Sequence, residues 1–155
     1  MKHPFPEYLN PDIPIILFDG DCALCSGVVQ FVLDNDTIGD LHFASLQSPV
    51  GQSLLRYFGL PEQNFDSYLV VEGERYSNKF RAVQRMSFHM GGVWRFLYHL
   101  SRVIPRFIGD FIYVHGFKAR YRLFGHAEAC RLLDPSQKSR FLDLDASVFK
   151  VAAEA

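Results

Sequence analysis

An α/β fold is predicted, with a β-α-β-α-β-β-α core and a helical C-terminal extension. Three observations predict it. An apolar run, Ile13 to Leu17, passes through a Gly-containing turn into a segment with helical spacing. Two β-rich runs, 67–71 and 75–77, flank Glu72-Gly73-Glu74 and read as a hairpin. From Val93 onward the chain becomes helical in pattern and strongly aromatic. A length of 155 residues, 48% apolar and 21% charged, suits one domain with its own core.

In order, residues 1–12 form an irregular arm, because Pro4, Pro6 and Pro11 oppose regular structure. A single domain then spans 13–135, with the helical extension starting at about 93. The first strand covers Pro14 to Phe18. Asp21 is placed to cap the helix that follows, which ends near Asp34-Asn35-Asp36. A second strand runs from Leu41 to Leu46. Ser48 and Pro49 open a helix as cap and first residue, Leu54, Leu55 and Phe58 give it an apolar face, and Gly59 stops it. The hairpin leads to a helix from about Phe80 to His89, stopped at Gly91-Gly92. Helices over 93–103 and from Pro105 to about Leu123 follow, separated by Pro105. Residues 136–155 read as a terminal helix or a tail.

The order of elements is that of the thioredoxin-like core, with Cys22 and Cys25 directly after the first strand. A helix N-terminus carries unpaired N–H groups and a partial positive charge, which stabilises a thiolate, the nucleophilic form of cysteine. Two intervening residues bring the sulfurs within disulfide reach across one helical turn. The pair therefore reads as redox-active, Cys22 attacking and Cys25 resolving. Two other readings stand beside it. A zinc site would need four ligands, and His126 and Cys130 could complete a set with Cys22 and Cys25. Alternatively, the thiols are inert and packed. Asp19, at the strand end, is the candidate base that accepts the Cys25 proton. Asp21 could support the pair or simply cap the turn. Cys130 could be a third redox thiol or a small core hydrophobe.

The same stretch, Ile15 to Asp21, imitates the strand and Asp-x-Asp of haloacid-dehalogenase-type enzymes, whose first Asp is a nucleophile. Cys22 stands where that pattern has Gly-Thr or Gly-Val, and no later acidic pair completes a magnesium site. A net charge of -1 argues against a nucleic-acid partner. Between Arg95 and Arg122 basic residues and aromatics interleave, a pattern open to nucleic-acid stacking, to membrane-surface binding or to a lid over the cysteine pair that binds an acidic or thiol-bearing partner; the preferred reading is two helices with aromatic core faces and basic outer faces. Three cysteines do not make a disulfide scaffold, so a cytoplasmic, reducing location is expected. No signal-peptide pattern and no transmembrane run is seen.

Further residues carry a family resemblance. Asp19-Gly20-x-Cys22-x-x-Cys25 is followed by Leu46-Gln47-Ser48, Gly91-Gly92-x-Trp94, Ile104-Pro105, and Arg120 to Gly125 ahead of Cys130. In this order they resemble the DCC family of predicted thiol-disulfide oxidoreductases, from about Ile15 to Cys130. The resemblance implies a thioredoxin-like fold and dithiol/disulfide exchange with a thiol- or disulfide-bearing protein or small thiol, without a bound cofactor. Two departures stand out. Phe80-Arg81 occupies the place of a small polar pair. No proline precedes the third strand, where thioredoxins and glutaredoxins carry one facing the cysteines; Asp66-Ser67 stands there.

Overall fold

A computed structural model describes residues 4–18, 29, 31–63, 68–124 and 140–142. Four short strands, β1 (Ile15–Phe18), β2 (His42–Ser45), β3 (Leu69–Glu72) and β4 (Arg75–Asn78), form one sheet in the order β2-β1-β3-β4. β1 pairs with β2 in parallel and with β3 antiparallel, and β3 pairs antiparallel with β4. The helices are α1, described over residues 31–35, then α2 (Pro49–Phe58), α3 (Lys79–Met90), α4 (Gly92–Ser101) and α5 (Arg106–Phe124). This mixed sheet with helices is the thioredoxin-like α/β architecture that the order of elements predicts.

Alternation along the strands explains why both faces are covered. Ile16, Phe43 and Val70 point to one side, where Val29 and Val32 and the α3 residues Ala82, Met86 and Met90 meet them. Ile15, Leu17, Ala44, Leu69 and Val71 point to the other, against Val50, Leu54 and Leu55 of α2 and Leu9 of the N-terminal stretch. A central strand buried on both faces needs an unbroken apolar run, and Ile15-Ile16-Leu17 supplies it.

The ends of α2 are set locally. Ser48 Oγ accepts from the Gly51 N–H at 3.1 Å, Pro49 takes the first turn, and Gly59 turns left-handed at φ 66° to end the helix. The hairpin turn is tighter than predicted: Glu72 belongs to β3, and Gly73 alone adopts positive φ, at 61°. β4 passes into α3 without a loop, and Lys79 makes that corner at φ 52°.

Two findings depart from simple patterning. First, Arg140–Leu142 lies against the outer edge of β2. Phe43 N–H donates to the Arg140 carbonyl and Leu142 N–H to the Phe43 carbonyl, both at 2.8 Å. Phe141 is buried, stacks on Phe43 at 5.2 Å between ring centres and meets Phe18 edge-on. The Arg140 guanidinium pairs with the buried Asp36 carboxylate and donates to the Leu41 carbonyl at 2.8 Å. Second, the aromatic residues of α4 and α5 are not a core face. Phe96, Phe107 and Phe111 are exposed, and among the aromatics whose burial is described only Trp94, Tyr98 and Tyr113 turn partly inward. The sheet face beneath is filled largely by α1 and α3, and the extension reaches that cluster through Trp94 and Tyr113.

Candidate functional site

The predicted site residues Asp19, Asp21, Cys22, Cys25, His126 and Cys130 lie outside the described residues. So does Asp66-Ser67, ahead of β3. What the structure describes is the frame at the carboxyl end of β1, where the chain leaves Phe18 toward the cysteine motif.

That frame is built from three neighbours. On one side β2 ends level with β1, Phe18 pairing with Ser45, and the Leu46 N–H donates to the Phe18 carbonyl at 2.8 Å. On the other side β3 begins beside Leu17, at Leu69, so Tyr68 enters the same end of the sheet. Behind, Phe141 closes over Phe18. In an α/β sheet this end, beyond the carboxyl ends of parallel strands, is where loops and helix N-termini converge and sites are built.

The Leu46-Gln47-Ser48 motif now has a structural meaning. Leu46 is buried, Ser45 Oγ donates to Gln47 Oε1 at 2.6 Å, and Ser48 Oγ donates to the Ser45 carbonyl at 2.7 Å. Gln52 Nε2 donates to the Leu46 carbonyl at 2.7 Å. Gly51 lets α2 begin flush against this turn: a Cβ there would lie 2.2 Å from the Ser45 carbonyl oxygen.

Gly91-Gly92-x-Trp94 acts at a different point. Gly91, at φ 73°, closes α3 against the loop after α1; a Cβ there would meet the Ile38 side chain at 2.8 Å. The Met90 carbonyl accepts from Thr37 N–H and Oγ at 3.1 and 2.8 Å. Trp94 then packs edge-on against Phe31 of α1, 5.1 Å between ring centres. The motif thus clamps α1, which follows the cysteine motif in sequence. Beside it runs a largely apolar groove of about 430 Å³, lined by Phe31, Tyr68, Met86, Met90, Trp94 and Tyr113. The Tyr68 N–H donates to Tyr113 Oη at 3.1 Å, tying α5 to the start of β3.

One polar cluster was not legible in the sequence. Glu72, at the end of β3, takes a bidentate contact from Arg85 and a 2.6 Å contact from His89 Nε2. Burial would raise the Glu72 carboxyl, but the hydrogen bonds from His89 and Arg85 outweigh it and hold it at about 2. The Glu72 carboxylate in turn raises Arg85 above its ordinary value. The i, i+4 spacing of Arg85 and His89 was the available signal, without indicating a partner.

Among the described residues no helix is long and apolar enough to cross a membrane, and no group of three metal-ligating side chains occurs.

The chain matches the family model described as DCC1-like thiol-disulfide oxidoreductase over residues 16–126. It is 42% identical to the uncharacterized protein YuxK of Bacillus subtilis over 128 residues, covering 83% of this chain and 93% of that protein. It is 35% identical to a chloroplastic DCC family protein of Arabidopsis thaliana over 119 residues, 77% of this chain and 69% of the relative. No solved structure matches it.

Proposed function

The chain belongs to the DCC1-like thiol-disulfide oxidoreductase family, and from that premise we propose that it exchanges dithiol for disulfide at Cys22 and Cys25. The observation that carries the proposal is topological. In a thioredoxin-like sheet the motif begins directly at the end of β1, a strand flanked by β2 and β3, where the flanking turn and α1 are clamped by the family's own motifs.

In the reducing direction, the Cys22 thiolate attacks one sulfur of a substrate disulfide. The substrate S–S bond breaks, a mixed disulfide forms, and one substrate thiolate leaves. The Cys25 thiolate then attacks the Cys22 sulfur, expels the second substrate thiolate and leaves an internal Cys22–Cys25 disulfide. The substrate gains two electrons and the protein loses two; an external thiol restores the dithiol. Asp19 accepts the proton of Cys25 in the second step. Asp21 caps the turn. The partner that gives up or receives the disulfide is a disulfide- or thiol-bearing protein or a small thiol, a thiol partner running the same steps in reverse, and a cytoplasmic setting suits a chain with three cysteines.

A titration in glutathione buffers, with intact mass and cysteine mapping at each ratio, tests the reading. Reversible conversion to a Cys22–Cys25 disulfide is expected. A pair that stays reduced throughout, or oxidises only after stoichiometric zinc is stripped, would overturn it.

A further inference from the structure

A second feature lies away from the end of β1, and its argument does not depend on the redox proposal. Between β4, α3 and the α4–α5 corner is a cleft of about 690 Å³. Its wall holds five arginines, Arg75, Arg81, Arg85, Arg102 and Arg106, and a single carboxylate, Glu72. Glu72 is already engaged, gripped by Arg85 and His89. Arg75, Arg81 and Arg102 have no carboxylate partner among the described residues, and Arg106 reaches Asp110 only at 3.6 Å. All four are exposed.

Several guanidinium groups lining one concavity focus a positive field there, which raises the local concentration of anions. Arginine is suited to that role: it stays charged, and its planar fork meets phosphate or carboxylate oxygens in pairs. The fold holds the cleft open by defined packing. Phe80, at the start of α3, fills the space left by Gly109 of α5, where a Cβ would sit 2.1 Å from the ring. Gln84 Nε2 donates to the Ser101 carbonyl and hydroxyl at 3.1 and 3.0 Å, fixing α4 against α3. The volume is that of a small-molecule site rather than a protein interface. The departure at Phe80-Arg81 falls inside this cleft: one residue packs its base and the other supplies a cation.

We propose that this cleft binds a small anion bearing two or more phosphate or carboxylate groups, held by Arg75, Arg81, Arg102 and Arg106. The test is calorimetric titration of the full chain, at low ionic strength, with inorganic pyrophosphate and separately with citrate. Saturable one-to-one binding is expected for at least one probe, and the stronger one identifies the anionic group. Arg81→Gln and Arg102→Gln, both exposed and outside any described ion pair, should each weaken it roughly tenfold. Arg56→Gln removes an equal charge elsewhere and should leave it unchanged. Raising the salt should weaken binding. No saturable heat with either probe, or an equal loss with Arg56→Gln, would overturn the proposal. Either result leaves the Cys22–Cys25 titration independent.

Discussion

Replacing Phe141 by Ala removes a ring that is 6% exposed and lies between Phe43 and Phe18. A buried aromatic takes roughly 150–200 Å² out of water, worth about 4 kcal/mol at about 25 cal/mol per Å². Alanine keeps a small part of that, but the stacked contact with Phe43 is lost as well. The cavity would also open toward Phe18, whose backbone holds Leu46. An overall cost of about 3–4 kcal/mol is expected, which for a chain of this size lowers Tm by about 10 °C. Urea melts followed by circular dichroism measure it, with Phe141→Leu as the milder variant at about 1 kcal/mol. The expectation has force because Phe141 lies far along the sequence from every strand it touches. A loss below about 1 kcal/mol for Phe141→Ala would refute the reasoning, since it would mean that β2 and β1 are stable without their neighbour at 140–142.

Other expectations follow from the same geometry. Glu72→Gln should cost about 2 kcal/mol at pH 7, because it leaves Arg85 and His89 without their shared anion. Since the folded Glu72 carboxyl sits at about 2, below its ordinary 4.5, this stability is fully present above pH 4.5 and is lost as pH falls toward 2. The gap between wild type and variant in urea melts should therefore close over that window, and a gap unchanged at pH 2 speaks against the ion pair. Gly51→Ala should destabilise by about 3 kcal/mol, because the obstacle is the Ser45 backbone carbonyl and cannot swing away; a melt within about 0.5 kcal/mol of wild type contradicts the close approach. Cys25→Ser should trap a mixed disulfide on Cys22 after exposure to oxidised glutathione, seen as a mass increase, while Cys22→Ser should trap none. Asp19→Asn should slow resolution, and exchange rates unchanged across pH would remove Asp19 as the base.

Much of the core could be read in advance because its signals are local. Ile15-Ile16-Leu17 is apolar without interruption, so a strand buried on both faces follows from the sequence alone. Ser48-Pro49 and Gly59 set the ends of α2 through bonds spanning a few residues, and Gly73 marks its turn by φ. The position of the cysteine pair after the first strand is likewise a fact of order. Tertiary structure decided what depends on distant partners. Phe141 looks like part of an amphipathic tail until Phe43 is seen beside it, and no period in the sequence links residues 98 apart. Glu72 reads as a turn residue, and only the packing of α3 on β3 turns it into the shared anion of Arg85 and His89. The aromatic extension departs from its expected packing for a related reason. Periodicity shows that a helix has an apolar face, but not whether the surface it would cover is free, and here α1 and α3 take most of it. The arginine cleft has the same origin: its cations come from β4, α3, the α4–α5 corner and α5, and only the folded chain brings them to one place.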